Sequence, residues 1–209
     1  MNLAPWRSPL SRALHRNRSL PNARYVQLAT VRSDGSPANR TIVFRGFVGE
    51  QFCCKTDSIK KDLHDTLQFV TDRRSEKAIE IGHQALGEVC WYFPKTREQF
   101  RLRGRLTLVT AETANDPDVP LQEVRSHLWQ ALSDNARIQF AWPYPGQPRA
   151  ESTEFQPQQP DERHPLPDFC ALLLHPSAVD HLELRGDPQN RWHYRLDETS
   201  GWQQQAVNP

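Results

Sequence analysis

The chain has 209 residues, 37% of them hydrophobic, which is enough to bury one real core and points to a single domain over residues 1–209. Lys and Arg number 26 against 25 Asp and Glu, a net charge of +1 with no run of like charge, so a broad electrostatic nucleic-acid surface is excluded as an expectation. The longest apolar runs, such as CALLL at 170–174, fall far short of the roughly 20 residues of a membrane helix, and the N-terminal stretch lacks the apolar centre of a secretory signal, so a cytoplasmic protein that binds no membrane is expected.

In chain order, SPLSRALHRN (8–17) reads as a short amphipathic helix, with Ser8 as N-cap and Pro9 at the first helical position. RYVQLATVR (24–32) alternates as a strand, SDGSP (33–37) turns the chain, and NRTIVFRGFV (39–48) runs back, giving a hairpin. QFCCKT (51–56) reads as a third strand, DSIKKDLHDTL (57–67) as a helical turn, and LQFVTD (67–72) as a further strand. A helix over 72–85 and a strand over 87–94 follow. EQFRLRGRLTLVTA (98–111) alternates over a long span, with Phe100, Leu102, Leu106 and Leu108 inward and Gly104 marking a bend or bulge. The helix over 119–133 carries a stripe of Leu121, Val124, Leu128 and Leu132. Residues 142–169, rich in Pro and Gln, read as a long loop, after which four strands are expected at FCALLLHP, AVDHLELR, RWHYRLD and WQQQAVN. Hairpin-joined strands with few helices and a terminal meander predict an antiparallel barrel of the α+β class.

Four cysteines and eight histidines fall in no zinc-type spacing, so no metal site is expected, and Cys53, Cys54, Cys90 and Cys170 read as reduced, mostly structural thiols. NRWHYR (190–195) puts Arg191, His193 and Arg195 on one strand face and Trp192 and Tyr194 on the other. Two readings stand: an edge strand whose charges discourage pairing, or a face that holds something negative or planar. FVTDRRSEK (69–77) delivers Thr71, Arg74, Ser75 and Lys77 at a helix start, which suits a phosphate but equally a capped, solvated first turn.

Together, NRTIVFR, FVTDRRSEK, WYFPKTREQFRLRGRL and RWHYRLDETSGWQQQAVNP resemble the FMN-binding split-barrel proteins related to pyridoxamine 5′-phosphate oxidase, and the likeness spans most of the chain. The resemblance implies an antiparallel split β-barrel with a few peripheral helices, FMN as cofactor and a homodimer with FMN at the interface. It implies that Arg40, Arg74, Ser75 and Lys77 bind the FMN phosphate, that the backbone of Thr41, Ile42 and Val43 faces the flavin ring, and that Thr71, Gln99 and Arg195 contact the cofactor. Arg191 and His193 match substrate-contacting, catalytic positions. Arg45 replaces a lysine of the family's strand. Trp129, Ser133 and Arg137 occupy the positions of a helical Tyr, Arg and Ser that grip the substrate phosphate, in a different order but along one helical face. Leu182 replaces an expected tryptophan, and CCKTDSIKKDLHDT resembles an insertion. The implied activity is an FMN-dependent oxidoreductase for a small amine, alcohol or reduced nicotinamide. The alternative is a flavin-binding carrier or sensor without turnover.

Overall fold

The computed structural model describes residues 3–48, 63–113 and 121–209. The expected strand at 51–56 lies outside the described residues, as do Cys53 and Cys54 and most of the expected turn at 57–67. The leading helix α1 (Arg7–Asn17) starts with Trp6, not Ser8, at its N-cap, so Pro9 falls at the third helical position, still within the turn whose N–H groups have no helical partner. Leu10 and Ala13 are fully buried. Asn17 closes the helix by donating to Ala13 O at 2.8 Å and accepting the Lys95 N–H at 2.9 Å.

Strands β1 (Tyr25–Val31) and β2 (Pro37–Val43) form the expected hairpin, from Tyr25 opposite Val43 to Val31 opposite Pro37. The turn needs a left-handed residue, supplied by Gly35 at φ 84°. The strand expected to run through 48 breaks after Val43 and resumes as β3 (Gly46–Phe47), because Gly46 adopts φ 127° and lets the chain bend. Next come β4 (Leu67–Asp72), α2 (Glu76–His83), β5 (Leu86–Phe93) and β6 (Glu98–Val109). They are followed by α3 (Leu121–Gln130), α4 (Asp134–Arg137), β7 (Phe169–Glu183), β8 (Asn190–Asp197) and β9 (Gly201–Val207).

All pairings are antiparallel, in the order β2-β1-β5-β6-β7-β4-β3, with β8 added to β7 and β9 to β8. The two ends of that order are consecutive in the chain: β2 passes through Phe44 and Arg45 into β3, and the Arg45 N–H donates to Gln68 O of β4 at 2.8 Å. The sheet therefore curls back on itself. Its inside holds Val26, Leu28, Phe44, Phe69, Trp91, Phe100 and Leu102, sealed at one end by α1 through Trp6 and Leu10. A second core, of Val109, Val124, Leu128, Trp129, Phe169 and Leu173, lies under α3. Each large apolar side chain fully withdrawn from water contributes about 1.5–3 kcal/mol, and the aromatic residues dominate both cores.

Two further sequence expectations need correction. The helix over 72–85 is shorter because Asp72 organises a turn first: Asp72 Oδ1 accepts the Arg74 N–H at 2.7 Å, and the Ser75 hydroxyl donates to Asp72 O at 2.6 Å. The strands expected at 169–176 and 178–185 are one strand, β7. Pro176, which cannot donate to a ladder, sits at the register shift between Arg103 and Gly104, so the strand continues past it. The bulge falls at Gly104 as its sequence position suggested, but the extra residue, Ser177, is on β7: Arg103 pairs Ala178 and Gly104 pairs Pro176. A Cβ on Gly104 would lie 1.9 Å from His175 O.

Candidate functional site

The β4–α2 junction gathers the residues of FVTDRRSEK. The Asp72 turn brings Thr71, Ser75 and Lys77 together, and the Lys77 ammonium donates to Thr71 Oγ1 at 3.1 Å and Ser75 Oγ at 3.2 Å. Both partners are neutral. Burial pushes the Lys77 pKa below its usual value, and the positive charge of Arg40 pushes it further down. Ser75 stands at the N-cap position of α2 without a side-chain capping bond, and the helix's first N–H groups add partial positive charge at the same place. Arg40, from β2, donates to Glu80 Oε2 at 2.6 Å and to the Thr30 hydroxyl, which in turn donates to Glu80 at 2.5 Å. Glu80 is only 6% exposed. Burial would raise its pKa, but the hydrogen bonds from Thr30 and Arg40 outweigh that and hold it below the ordinary value.

Arg74 stands beside this cradle with its donors engaged. It forks onto Asp72 (Nη2 to Oδ2, 2.7 Å) and donates to Phe140 O and Trp142 O, both at 3.2 Å, so it braces the 140–142 segment. β2 pairs only with β1 among the described strands, leaving the backbone groups of the Thr41–Val43 stretch that point away from β1 without a strand partner.

A second cluster lies on the outer face of the sheet. Register places Gln99, Leu182 and Arg191 in one row, Arg101, Asp180 and His193 in the next row of the same face, and Arg103, Ala178 and Arg195 in the next. Asp180 is the centre. It accepts Arg191 Nε at 3.0 Å, Arg191 Nη2 at 2.6 Å and Arg101 Nη2 at 2.5 Å, while His193 Nε2 lies 3.6 Å away. Burial would raise the Asp180 pKa, yet the Arg191 and Arg101 hydrogen bonds pull it down to about 2. Arg195 lines a cavity of about 150 Å³ with Glu88, Arg103 and His193. On the opposite face Tyr194 enters the core and Trp192 stacks on His181 at 5.3 Å.

The two clusters occupy different faces. Arg40 aligns through Leu28, Val89, Leu102 and Val179 with Tyr194, the inward row, whereas Arg101, Asp180 and His193 face out.

The expected helical face of Trp129, Ser133 and Arg137 does not exist as one surface. α3 ends at Gln130, and Ser133 is the N-cap of α4, so the three do not share a helix. Trp129 is fully buried against Phe169, ring centroids 5.0 Å apart, and its indole N–H donates to Asp161 O at 2.9 Å. Arg137 is 5% exposed and donates to Leu132 O at 2.6 Å. Arg45 has a buried Nε without a hydrogen-bond partner, and burial, then the charge of Arg24, lower its pKa.

With this geometry in place, the comparisons with known proteins are decisive. The sequence profile described as pyridoxamine 5′-phosphate oxidase, FMN-binding domain, matches residues 3–110. The chain belongs to this family. Its cofactor is FMN, and its fold is the family's split barrel. Over 212 residues the chain is 35% identical to pyridoxine/pyridoxamine 5′-phosphate oxidase 2 of Arabidopsis thaliana, covering 100% of the chain and 98% of that protein. A pyridoxine/pyridoxamine 5′-phosphate oxidase of Sinorhizobium fredii matches over 96 residues at 34% identity, 46% of this chain and 38% of that one. Among solved structures, a pyridoxamine 5′-phosphate oxidase-related, FMN binding protein from Nostoc punctiforme superposes with a TM-score of 0.88 at 53% identity over 100% of both chains. PhzG from Burkholderia lata, solved with tetrahydrophenazine-1-carboxylic acid, shares the fold at TM-score 0.71 and 17% identity, over 97% of this chain and 91% of that one.

The residues present fit the cofactor of this oxidase-related family. A half-buried ammonium whose hydrogen bonds go only to hydroxyls, beside a second cation and a helix N-terminus, is the donor set a phosphate monoester requires. Sequence reading missed Glu80, Thr30, Asp180 and Arg101. Asp180 and Arg101 alternate correctly on their strands, but only the register reveals them as partners.

Proposed function

We propose that this protein is an FMN-dependent oxidoreductase of the pyridoxamine 5′-phosphate oxidase-like type, acting in the cytoplasm on a small amine, alcohol or reduced nicotinamide. The observation that carries this reading is the Arg191–Asp180–His193 arrangement, a fixed guanidinium and an imidazole held on one outward sheet face. FMN, when bound, supplies the two-electron acceptor. Lys77, Ser75, Thr71 and Arg40 hold its phosphate, with Arg74 bracing the wall beside them. The open backbone edge at Thr41, Ile42 and Val43 meets the ring, and Gln99 and Arg195 contact the cofactor. Arg191 and Arg45 orient an anionic substrate, and His193 takes or returns a proton at Nε2.

Because the cradle and the basic strand face different ways in one chain, this reading also requires a homodimer, in which β8 of a second copy approaches the cradle. No helix among the described residues is long and apolar enough to cross a membrane. The test is anaerobic: the purified protein, its flavin identified by mass after acid release, is mixed with pyridoxamine 5′-phosphate, pyridoxine 5′-phosphate, NADH or NADPH. Bleaching of the flavin band by one of them is the expected result.

A second reading, a flavin carrier or sensor without turnover, is favoured by the burial of Trp129 and Arg137, which leaves no helical grip for a substrate phosphate. Bound flavin that none of these donors reduces supports that reading and overturns the first.

A further inference from the structure

Where β6 begins and β7 ends, two glutamates stand directly opposite each other: Glu98 pairs Glu183 in the register, on the face that carries Phe100 and His181 rather than the face of Arg101 and Asp180. Like charges facing each other across a ladder are destabilising unless a cation lies between them. His181, two residues before Glu183, completes a cluster whose donor atoms all lie within 4.8 Å of one another. Its Nε2 is 3.0 Å from Glu98 Oε2 and 4.0 Å from Glu183 Oε1. The imidazole is 1% exposed, stacked on Phe100 with ring centroids 4.0 Å apart and on Trp192 at 5.3 Å. Its Nδ1 has no hydrogen-bond partner, so nothing there fixes the tautomer, and Nε2 is free to offer its lone pair toward the carboxylates. Beyond the three donors lies a cavity of about 170 Å³, lined also by Arg12 and Arg16 of α1, Thr96 and Arg185. All three arginines are exposed, and among the described residues none forms an ion pair with either glutamate.

We propose that Glu98, His181 and Glu183 form a zinc site that clips the ends of β6 and β7 together and turns its fourth coordination position toward the cavity. Tetrahedral zinc, with bonds of about 2.0–2.2 Å to nitrogen and oxygen, needs ligand atoms roughly 3.4 Å apart. The distances of 3.0 and 4.0 Å from His181 Nε2 bracket that spacing, so small side-chain rotations close the site. Glu98 is ready as a ligand: burial would raise its pKa, but the hydrogen bonds from His181 and Thr96 outweigh that and keep it ionised. A protonated imidazole is a poorer answer to the same two charges. Its one N–H on this side reaches Glu98 at 3.0 Å and leaves Glu183 to the neutral Asn190 amide at 3.3 Å, whereas a cation at the centre serves both carboxylates. One nitrogen and two carboxylates suit zinc, while calcium and magnesium prefer oxygen alone. The exposed arginines on the rim are screened by solvent and temper the affinity without blocking it. Glu98 and His181 are 83 positions apart, so no zinc-type spacing in the sequence shows the site.

The experiment is a calorimetric titration of the full chain, freed of metals with a chelator and with its flavin left in place, using zinc chloride and, separately, magnesium chloride. One zinc per chain is expected to bind with a micromolar Kd, and magnesium far more weakly. Zinc at about 10 to 100 times its Kd is expected to raise the unfolding temperature by about 3–10 °C. Glu98→Gln and Glu183→Gln are each expected to weaken zinc by about ten-fold or more and to abolish most of that thermal shift. Glu183 is half-buried and makes a single amide contact, so Glu183→Gln carries the test if Glu98→Gln folds poorly. The site is overturned if millimolar zinc gives neither heat nor thermal shift, or if magnesium binds as tightly as zinc. Zinc bound equally by the wild type and the variants also overturns it, since the metal then sits on other histidines or cysteines.

Discussion

Asp180 holds Arg191 by both arms of its guanidinium, Nε at 3.0 Å and Nη2 at 2.6 Å, across the β7–β8 ladder. With Arg101 on the other side, the carboxylate is flanked by two arginines in neighbouring rows of one sheet face, and a pKa of about 2 follows. An unfolded aspartate titrates near 3.9, so the group binds its proton later in the folded state than in the unfolded one. Its contribution is complete above about pH 4 and is lost as pH falls toward 2, amounting to roughly 2 kcal/mol. Urea unfolding of wild type and Asp180→Asn at pH 7 and near pH 2.5 tests this. The wild type is expected to lose stability over that interval by more than the variant does.

The same geometry separates Arg191 from cofactor retention. Its partner is Asp180 on the outer face, while the cradle lies at the β4–α2 junction. Arg191→Ala is expected to lower kcat/KM for an anionic substrate on the order of ten- to a hundred-fold, with flavin content per chain unchanged. Loss of flavin in this variant would reassign Arg191 to the cofactor.

Lys77 sets the pH range of flavin binding. Burial and the Arg40 charge place its pKa below the ordinary ammonium value of about 10.4, and only the protonated form pairs with phosphate. FMN affinity is therefore expected to fall as pH rises on the alkaline side, earlier than the titration of an ordinary lysine would bring it about. Lys77→Met is expected to weaken FMN by roughly ten- to a hundred-fold at neutral pH and to flatten that alkaline decline. Fluorescence titration across the range measures both.

Local signals carried much of the fold. The β1–β2 hairpin follows from alternation around a glycine turn, and the bulge at Gly104 from a glycine inside an alternating strand. β7 was harder to read, because Pro176 looks like a strand end until the pairing with β6 shows that a bulge at Ser177 lets the strand continue past it. The grouping of Thr71, Ser75 and Lys77 was legible because all three lie within the seven residues 71–77. Asp180 and Glu80 were not: Asp180 meets Arg101 from 79 positions away, and Glu80 meets Arg40 from 40, so only the fold brings each carboxylate to its arginine. The supposed line of Trp129, Ser133 and Arg137 failed for a local reason. Ser133 prefers to start a helix and does so, with its carbonyl accepting the Ala136 and Arg137 N–H groups at 2.9 Å.

Trp129 is a core residue by position, so its truncation should be felt in stability. It contacts Phe140 and Phe169 edge-on and satisfies its N–H on Asp161 O. Trp129→Ala is expected to cost about 3–5 kcal/mol in urea unfolding, with FMN affinity of the folded fraction unchanged.

Gly104 offers the sharpest structural test. An added Cβ would meet His175 O at 1.9 Å, the His175 carbonyl carbon at 2.7 Å and Pro176 Cα at 2.8 Å, all backbone atoms of the paired strand. A flexible side chain could swing aside, but β7 is held by β6 on one edge and by β4 and β8 on the other. Relief therefore requires the bulge itself to open, breaking ladder bonds around Arg103 and Ser177. Gly104→Ala is expected to destabilise the fold by about 3 kcal/mol or more, at the upper end of overpacking costs. Gly35→Ala provides the comparison. It carries a positive φ of 84°, which Gly104 does not, and has nothing within 4 Å of its added Cβ, so only backbone strain of about 1 kcal/mol is expected. Denaturant midpoints of the two variants measure the difference, and equal losses would show that the close approach at the bulge is not what demands glycine.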